Sequence, residues 1–211
     1  MKYTTVLIIV LIPMVIIFTN LALLSTNYNF YLQIYREQNV HSNFTGSTVL
    51  NEATSNLIGY FRGKNMLEQK FYSNQAILHL MDVKHLLNTA LLLTICLDIL
   101  LISTTIYAII KKEVKKLLNA FLVGAVATIV LTLAVLGLLA LDFENSFIYF
   151  HLAFFRNNYW LFDESDNLIK MFPQSFFVSF AYHLVANIIV TALVLSIAAL
   201  MLKKINDKPH T

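Results

Sequence analysis

Four long apolar runs set the pattern of the chain, from about Val6 to Leu24, Leu86 to Ile110, Leu118 to Leu141 and Val178 to Leu202. A bilayer core is about 30 Å thick and a helix rises about 1.5 Å per residue, so a crossing needs roughly 20 apolar residues. Each run meets that length, and Asp98 alone interrupts them with a formal charge. The pattern predicts four transmembrane helices. The first exceeds the roughly 7 to 15 residues of a signal-peptide core and lacks a small-x-small cleavage site after it, so it reads as a retained anchor with a kink at Pro13.

A second periodicity lies in the long polar stretch at about 25–85. Val49, Leu50, Ala53, Leu57, Ile58, Tyr60 and Phe61 recur close to a 3.6-residue period, with Asn51, Glu52, Ser55 and Asn56 opposite them. This predicts an amphipathic helix over Ser47–Phe61 lying in the membrane interface, with Arg62 and Lys64 reaching lipid phosphates; packing on its own bundle is the alternative. The expected architecture is an all-α integral membrane protein with one domain over residues 1–211. It is a four-helix transmembrane bundle with two extracytoplasmic loops, at about 25–85 and 142–177.

Composition agrees: 58% of the 211 residues are hydrophobic and 13% charged, far from the balance of a soluble domain. Lysines orient the chain. "KKEVKK" at 111–116, Lys203, Lys204 and Lys2 place the termini and the middle hairpin on the cytoplasmic side and both long loops outside. The net charge of +3 is thus topological and gives no nucleic-acid footprint. Cys96, the single cysteine, excludes an internal disulfide and is expected as a packing residue of the second span.

Candidate chemistry collects at two places. "AILHLMDVKHLL" (76–87) sets His79, Asp82, Lys84 and His85 in front of the second span. "NSFIYFHLAFFRNNYWLF" (145–162) sets His151, Arg156 and Trp160 among aromatic rings suited to the water–acyl boundary. His79 and His85 are six apart and occupy different helix faces, so a zinc site would have to borrow His151 and Asp82. "DESDNLIK" (163–170) begins like a calcium loop but has Leu168 where glycine is needed and Gln174 in place of the bidentate glutamate. A G-x-S-x-G elbow is missing, and the lone cysteine lies within a span, which leaves acid–base chemistry by imidazole.

The second and third spans are joined by a short hairpin, so their outer ends adjoin, and His79 is expected to meet His151 there. Three other readings stay open at this point: a noncatalytic four-span protein that binds a partner through its outer loops, a metal-dependent membrane hydrolase, and a transporter. The last is disfavoured, because the spans carry almost no polar relay beyond Asp98.

"HLMDVK" (79–84), "FHLAFFRNNYWLF" (150–162) and "DNLIKMFPQSFF" (166–177), in this order and with this four-span layout, resemble the lipoprotein intramolecular transacylase family of bacterial membrane proteins over essentially the whole chain. The resemblance implies a reaction: the sn-2 acyl chain of a lipoprotein's diacylglyceryl-modified N-terminal cysteine moves onto that cysteine's own α-amine, giving a lyso-form lipoprotein. It implies His79 and His151 as the catalytic pair, with His85 outside the motifs; Asp82, Lys84, Arg156 and Trp160, which lie beside them in the sequence, are expected as supporting or substrate-binding residues. No cofactor, metal or acyl-enzyme is implied. The expected partners are the diacylglyceryl lipoprotein and membrane lipids, at the outer face of a bacterial cytoplasmic membrane. Gln75 departs from the pattern, since an acidic residue is expected about a turn before His79; Asp82 is left as the nearest group to orient that ring.

Overall fold

A computed structural model describes residues 2–207; the side chains of Lys2, one of the orienting lysines, and of Ser47 lie outside the described residues. Every regular element among the described residues is helical. In chain order they are α1 (Lys2–Ser25), α2 (Tyr28–Glu37), a 3-10 turn (Val40–Asn43), α3 (Ser47–Phe61), α4 (Asn74–Ile110), α5 (Val114–Leu141), α6 (Phe143–Phe154), α7 (Asn167–Met171) and α8 (Gln174–Asn206). Helices α1, α4, α5 and α8 are long and apolar enough to cross a membrane and contain the four expected spans. The protein is an integral membrane protein.

Among the described residues, one compact unit gathers 2–21, 90–137 and 184–207. Ile8, Ile12 and Ile16 of α1 pack with Ala120 and Ala125 of α5 and Ile188 and Ala192 of α8. Small residues let these helices approach, which is how helices associate where lipid is as apolar as leucine. At Gly124 a Cβ would stand 2.9 Å from both Cβ and Cδ1 of Ile12, so only glycine fits there. Exposed Leu92, Ile102, Val130 and Val194 form the lipid-facing surface. Cys96 is also exposed. It faces outward from α4 instead of packing inside, because Thr94 and Leu97 take the inward positions around it.

The other unit comprises Ala22–Thr89 and Leu138–His183. Its core holds Ile34 and Tyr35 of α2, Leu50 and Leu57 of α3, Tyr72, Ala76 and Leu80 around the start of α4, and Met171 and Phe176. Buried tyrosines satisfy their hydroxyls: Tyr72 donates to the Ala53 carbonyl at 2.7 Å and Tyr31 to the Ser25 carbonyl at 2.9 Å. The amphipathic helix occurs over the expected residues. Most of its apolar face is covered by protein, as the packing alternative expects: Leu50, Ala53, Leu57, Ile58, Tyr60 and Phe61 are buried, while Val49 is exposed. Arg62, which is exposed, donates to the Thr26 carbonyl at 2.8 Å.

Three short helices were not expected from the aromatic-rich stretches, yet each carries a side-chain cap that satisfies an orphan N–H. Asn27 accepts from Phe30 N, Asp142 from Asn145 N and Asp166 from Leu168 N. Asp166 also accepts from Ser73 Oγ at 2.7 Å, which gives the acidic "DESD" a capping and anchoring role. Helix α4 begins about three turns before its apolar run, at Asn74, and Ser73 Oγ accepts from Ala76 N at its start. Its 37 residues extend about 55 Å, well beyond a bilayer core of about 30 Å. Helix formation does not stop where hydropathy does, and the surplus turns carry the site.

Candidate active site

Gln75, His79 and Asp82 stand at i, i+4 and i+7 of α4 and share one face. His151 comes from α6, which Asp142 starts afresh immediately after α5 ends at Leu141. Beyond α6 the backbone turns extended at Phe155 (φ −120°, ψ 129°), and the segment carrying Asn157, Trp160 and Phe162 returns to the α4 face.

The two histidines meet as expected. Their ring centroids are 6.1 Å apart with planes 29° from parallel. His79 is 8% exposed and His151 7%, so both rings are almost withdrawn from solvent. Aromatic rings wall the pair: Phe147 lies 4.1 Å, Trp160 4.8 Å and Phe155 5.5 Å from His151, and Phe155 and Phe162 meet His79 at 5.1 and 5.7 Å.

The hydrogen bonds define the state of one ring. His151 Nδ1 lies 2.7 Å from the Phe147 carbonyl oxygen, one turn earlier on α6. A carbonyl only accepts, so Nδ1 carries the proton and Nε2 keeps its lone pair. Burial pushes the His151 pKa below the ordinary imidazole value, partly opposed by the Phe147 carbonyl. His79 Nδ1 is buried without a hydrogen-bond partner, and so is the indole nitrogen of Trp160. The remaining buried, unpartnered side-chain atoms among the described residues are threonine hydroxyls of membrane helices, Thr19, Thr105 and Thr132. An unsatisfied buried polar group costs about 1–3 kcal/mol, and here two such atoms flank one imidazole.

The α4 face holds the returning segment by hydrogen bonds. Gln75 Nε2 donates to the carbonyls of Tyr159 (3.3 Å) and Leu161 (2.6 Å), on either side of Trp160. Asn157 Nδ2 donates to Asp82 Oδ2 at 2.8 Å, and Asn157 Oδ1 accepts from Tyr159 N at 3.0 Å. Asp82 therefore fixes Asn157 and the segment behind it, and its charge acts on His79 through space without a hydrogen bond.

Lys84 and Arg156 differ from each other. The Lys84 ammonium lies 4.1 Å from the centre of the Tyr60 ring, a cation–π contact that occupies it locally. Arg156 is exposed and makes no hydrogen bond or ion pair among the described residues. His85 is exposed too. Gln75, Asn157 and Phe147 are the participants that the sequence reading did not assign. The i−4 spacing of Phe147 to His151 was the available signal for one; Asn157 gave none until the segment was seen to fold back. Among the described residues no three His, Cys, Asp or Glu side chains converge as a metal site.

Comparison with known proteins bears on this arrangement at two levels. The model of the family described as "Lipoprotein intramolecular transacylase Lit" matches residues 6–177. The in meso structure of the membrane integral lipoprotein intramolecular transacylase Lit from Bacillus cereus has a similar fold, with a TM-score of 0.79 at 24% identity, covering 96% of this chain and 94% of that one. Two structures of that protein with a single histidine substitution give TM-scores of 0.80 and 0.79 at 23% identity, covering 97% of this chain and 92% and 94% of theirs. No curated protein matches. With the match spanning most of the chain and both histidine motifs, the protein belongs to the Lit family of lipoprotein intramolecular transacylases.

Proposed function

We propose that this protein transfers the sn-2 acyl chain of a lipoprotein's diacylglyceryl-modified N-terminal cysteine to that cysteine's α-amine, with His151 as general base and no acyl-enzyme. The observation that carries this is the Nδ1 contact of His151 with the Phe147 carbonyl, which leaves Nε2 as a proton acceptor beside a second imidazole. Family membership supports the substrate class.

The chemistry balances without a co-reactant. The neutral amine attacks the sn-2 ester carbonyl and a C–N bond forms. His151 Nε2 takes the proton from the resulting ammonium. The bond from the carbonyl carbon to the glyceryl oxygen then breaks, and the imidazolium returns the proton to that oxygen as a hydroxyl. His79 hydrogen-bonds the departing oxygen. An α-amine has a pKa near 7.7–8.0, so an appreciable fraction is already neutral at physiological pH and a base of imidazole strength suffices. Amine and ester belong to one molecule, and holding them in a near-attack geometry supplies several kcal/mol of the barrier reduction.

The aromatic wall keeps the reacting groups from water, which favours transfer over hydrolysis. The site faces outward across a bacterial cytoplasmic membrane with both termini inside, a placement supported by the lysines at 111–116 and at 203 and 204. Asp82 orders the returning segment through Asn157, and exposed Arg156 contacts lipid or peptide oxygens at the site's margin.

The test is mass spectrometry of a synthetic diacylglyceryl lipopeptide after incubation with the purified protein or with His79→Ala and His151→Ala variants. An unchanged total mass with one acyl chain now on the α-amine is expected for the native chain and lost in both variants. Loss of one acyl chain from the product would show a hydrolase, and full transfer by both variants would remove the histidines from the mechanism.

A further inference from the structure

The reaction places negative charge on the sn-2 carbonyl oxygen as the amine attacks, and His151 as base does not stabilise it. A donor aimed at that oxygen, and already desolvated, is what such a step requires. Trp160 supplies a desolvated donor beside the base. Its Nε1 is buried without a partner, and its ring lies 4.8 Å from His151 at 32°. An indole N–H only donates, and no protein acceptor reaches this one, so it is open to an oxygen brought by the substrate.

The position of the indole is fixed by its backbone neighbours. Gln75 Nε2 bonds the carbonyls of both residues flanking Trp160, and Asp82 holds Asn157 three residues earlier, so the loop is tied to the same α4 face that carries His79. A donor held in this way needs no reorganisation when charge develops. A ring kept for packing alone would not require a buried, unmet N–H.

Resting on the transacylase reading above, we propose that Trp160 is a catalytic residue whose indole N–H binds the developing oxyanion of the sn-2 ester. Its substrate atom is the ester carbonyl oxygen, as distinct from a peptide carbonyl that is bound equally before and during the reaction.

Trp160 is the single tryptophan of the chain, so the N–H can be removed without changing any other site. Biosynthetic replacement by benzothienylalanine, an isostere with sulfur in place of the N–H, keeps the ring. It is expected to lower kcat by roughly 100-fold with KM within about twofold, the size of effect seen when one oxyanion donor is lost; Trp160→Phe should fall at least as far. Native-like kcat in the isostere, or a rise in KM with kcat intact, overturns the proposal. A native chain that performs no transfer would instead defeat the reaction itself.

The unmodified protein gives a second readout that needs no variant. A lipopeptide analogue with a phosphonate at the sn-2 position presents a stable anionic oxygen. With ¹⁵N-labelled tryptophan, the one indole N–H resonance should move downfield on binding it, and an unmoved resonance in the saturated complex overturns the proposal.

Discussion

The side-chain amide of Gln75 donates to the carbonyl oxygen of Leu161 at 2.6 Å, and the same nitrogen reaches the carbonyl of Tyr159. A carboxylate at this position has no proton to give and would face two acceptors. Gln75→Glu is therefore expected to lower kcat by about tenfold or more and to exceed the effect of Gln75→Ala, which only removes the donor at about 1 kcal/mol. Parallel transacylation assays and limited proteolysis between Arg156 and Asp163 would check both the order and its origin in loop release.

Asp82 supports the same segment through Asn157. Asp82→Asn keeps an acceptor oxygen and should retain most of the activity, whereas Asp82→Ala leaves the Asn157 amide unmet and should lose several-fold. Equal loss in both would mean that the negative charge, and not the hydrogen bond, is what the site uses.

The pH dependence has a definite sign. Burial lowers the His151 pKa, so the folded protein holds this proton less tightly than the unfolded chain does. The contribution to stability is full above the ordinary imidazole value of about 6.5 and is lost as pH falls through the lowered folded value. His151 is thus mostly neutral above about pH 6.5, and kcat/KM between about 6.5 and 8 should rise with deprotonation of the substrate amine alone. A pH–rate profile checks this. An additional enzyme pKa within that interval, absent from the free substrate, would argue against the assigned state of His151.

Two glycines of α5 make a paired test of helix packing. A Cβ at Gly124 would press on Ile12 Cβ, which cannot move without its backbone, while one at Gly137 meets nothing within 4 Å. Gly124→Ala should destabilise the protein by about 1–3 kcal/mol and Gly137→Ala should be neutral. Thermal unfolding in one detergent, at matched protein concentration, would show the difference.

Hydropathy revealed the four spans because a 20-residue apolar run has few other uses, and the Ser47–Phe61 helix because its period was complete. The partner of that helix was not readable: Leu50 and Leu57 could face lipid or Tyr35 equally well by pattern, and only the fold showed Tyr35 there. The convergence of His79 and His151 followed from hairpin connectivity. The roles of Gln75 and Asn157 did not, because both act on backbone or on a side chain more than 70 positions away, a contact made only when the segment after α6 folds back onto α4. The hydrogen bond of Asp82 is hidden for the same reason: helix spacing puts His79 within reach of its charge, while its bonding partner, Asn157, is brought to it only by tertiary folding.

The most direct test of the central claim, that a histidine pair moves an acyl chain within one lipoprotein molecule, is a crossover measurement. Two diacylglyceryl lipopeptides that differ in peptide mass, one with deuterated acyl chains, are mixed and incubated with the purified protein, and the products are sorted by mass spectrometry. Every N-acylated product should keep the isotope of its own peptide, and the His151→Ala variant should yield none. Crossed products would require an acyl-enzyme or transfer between molecules, and uncrossed products at the native rate from His151→Ala would remove that base from the reaction.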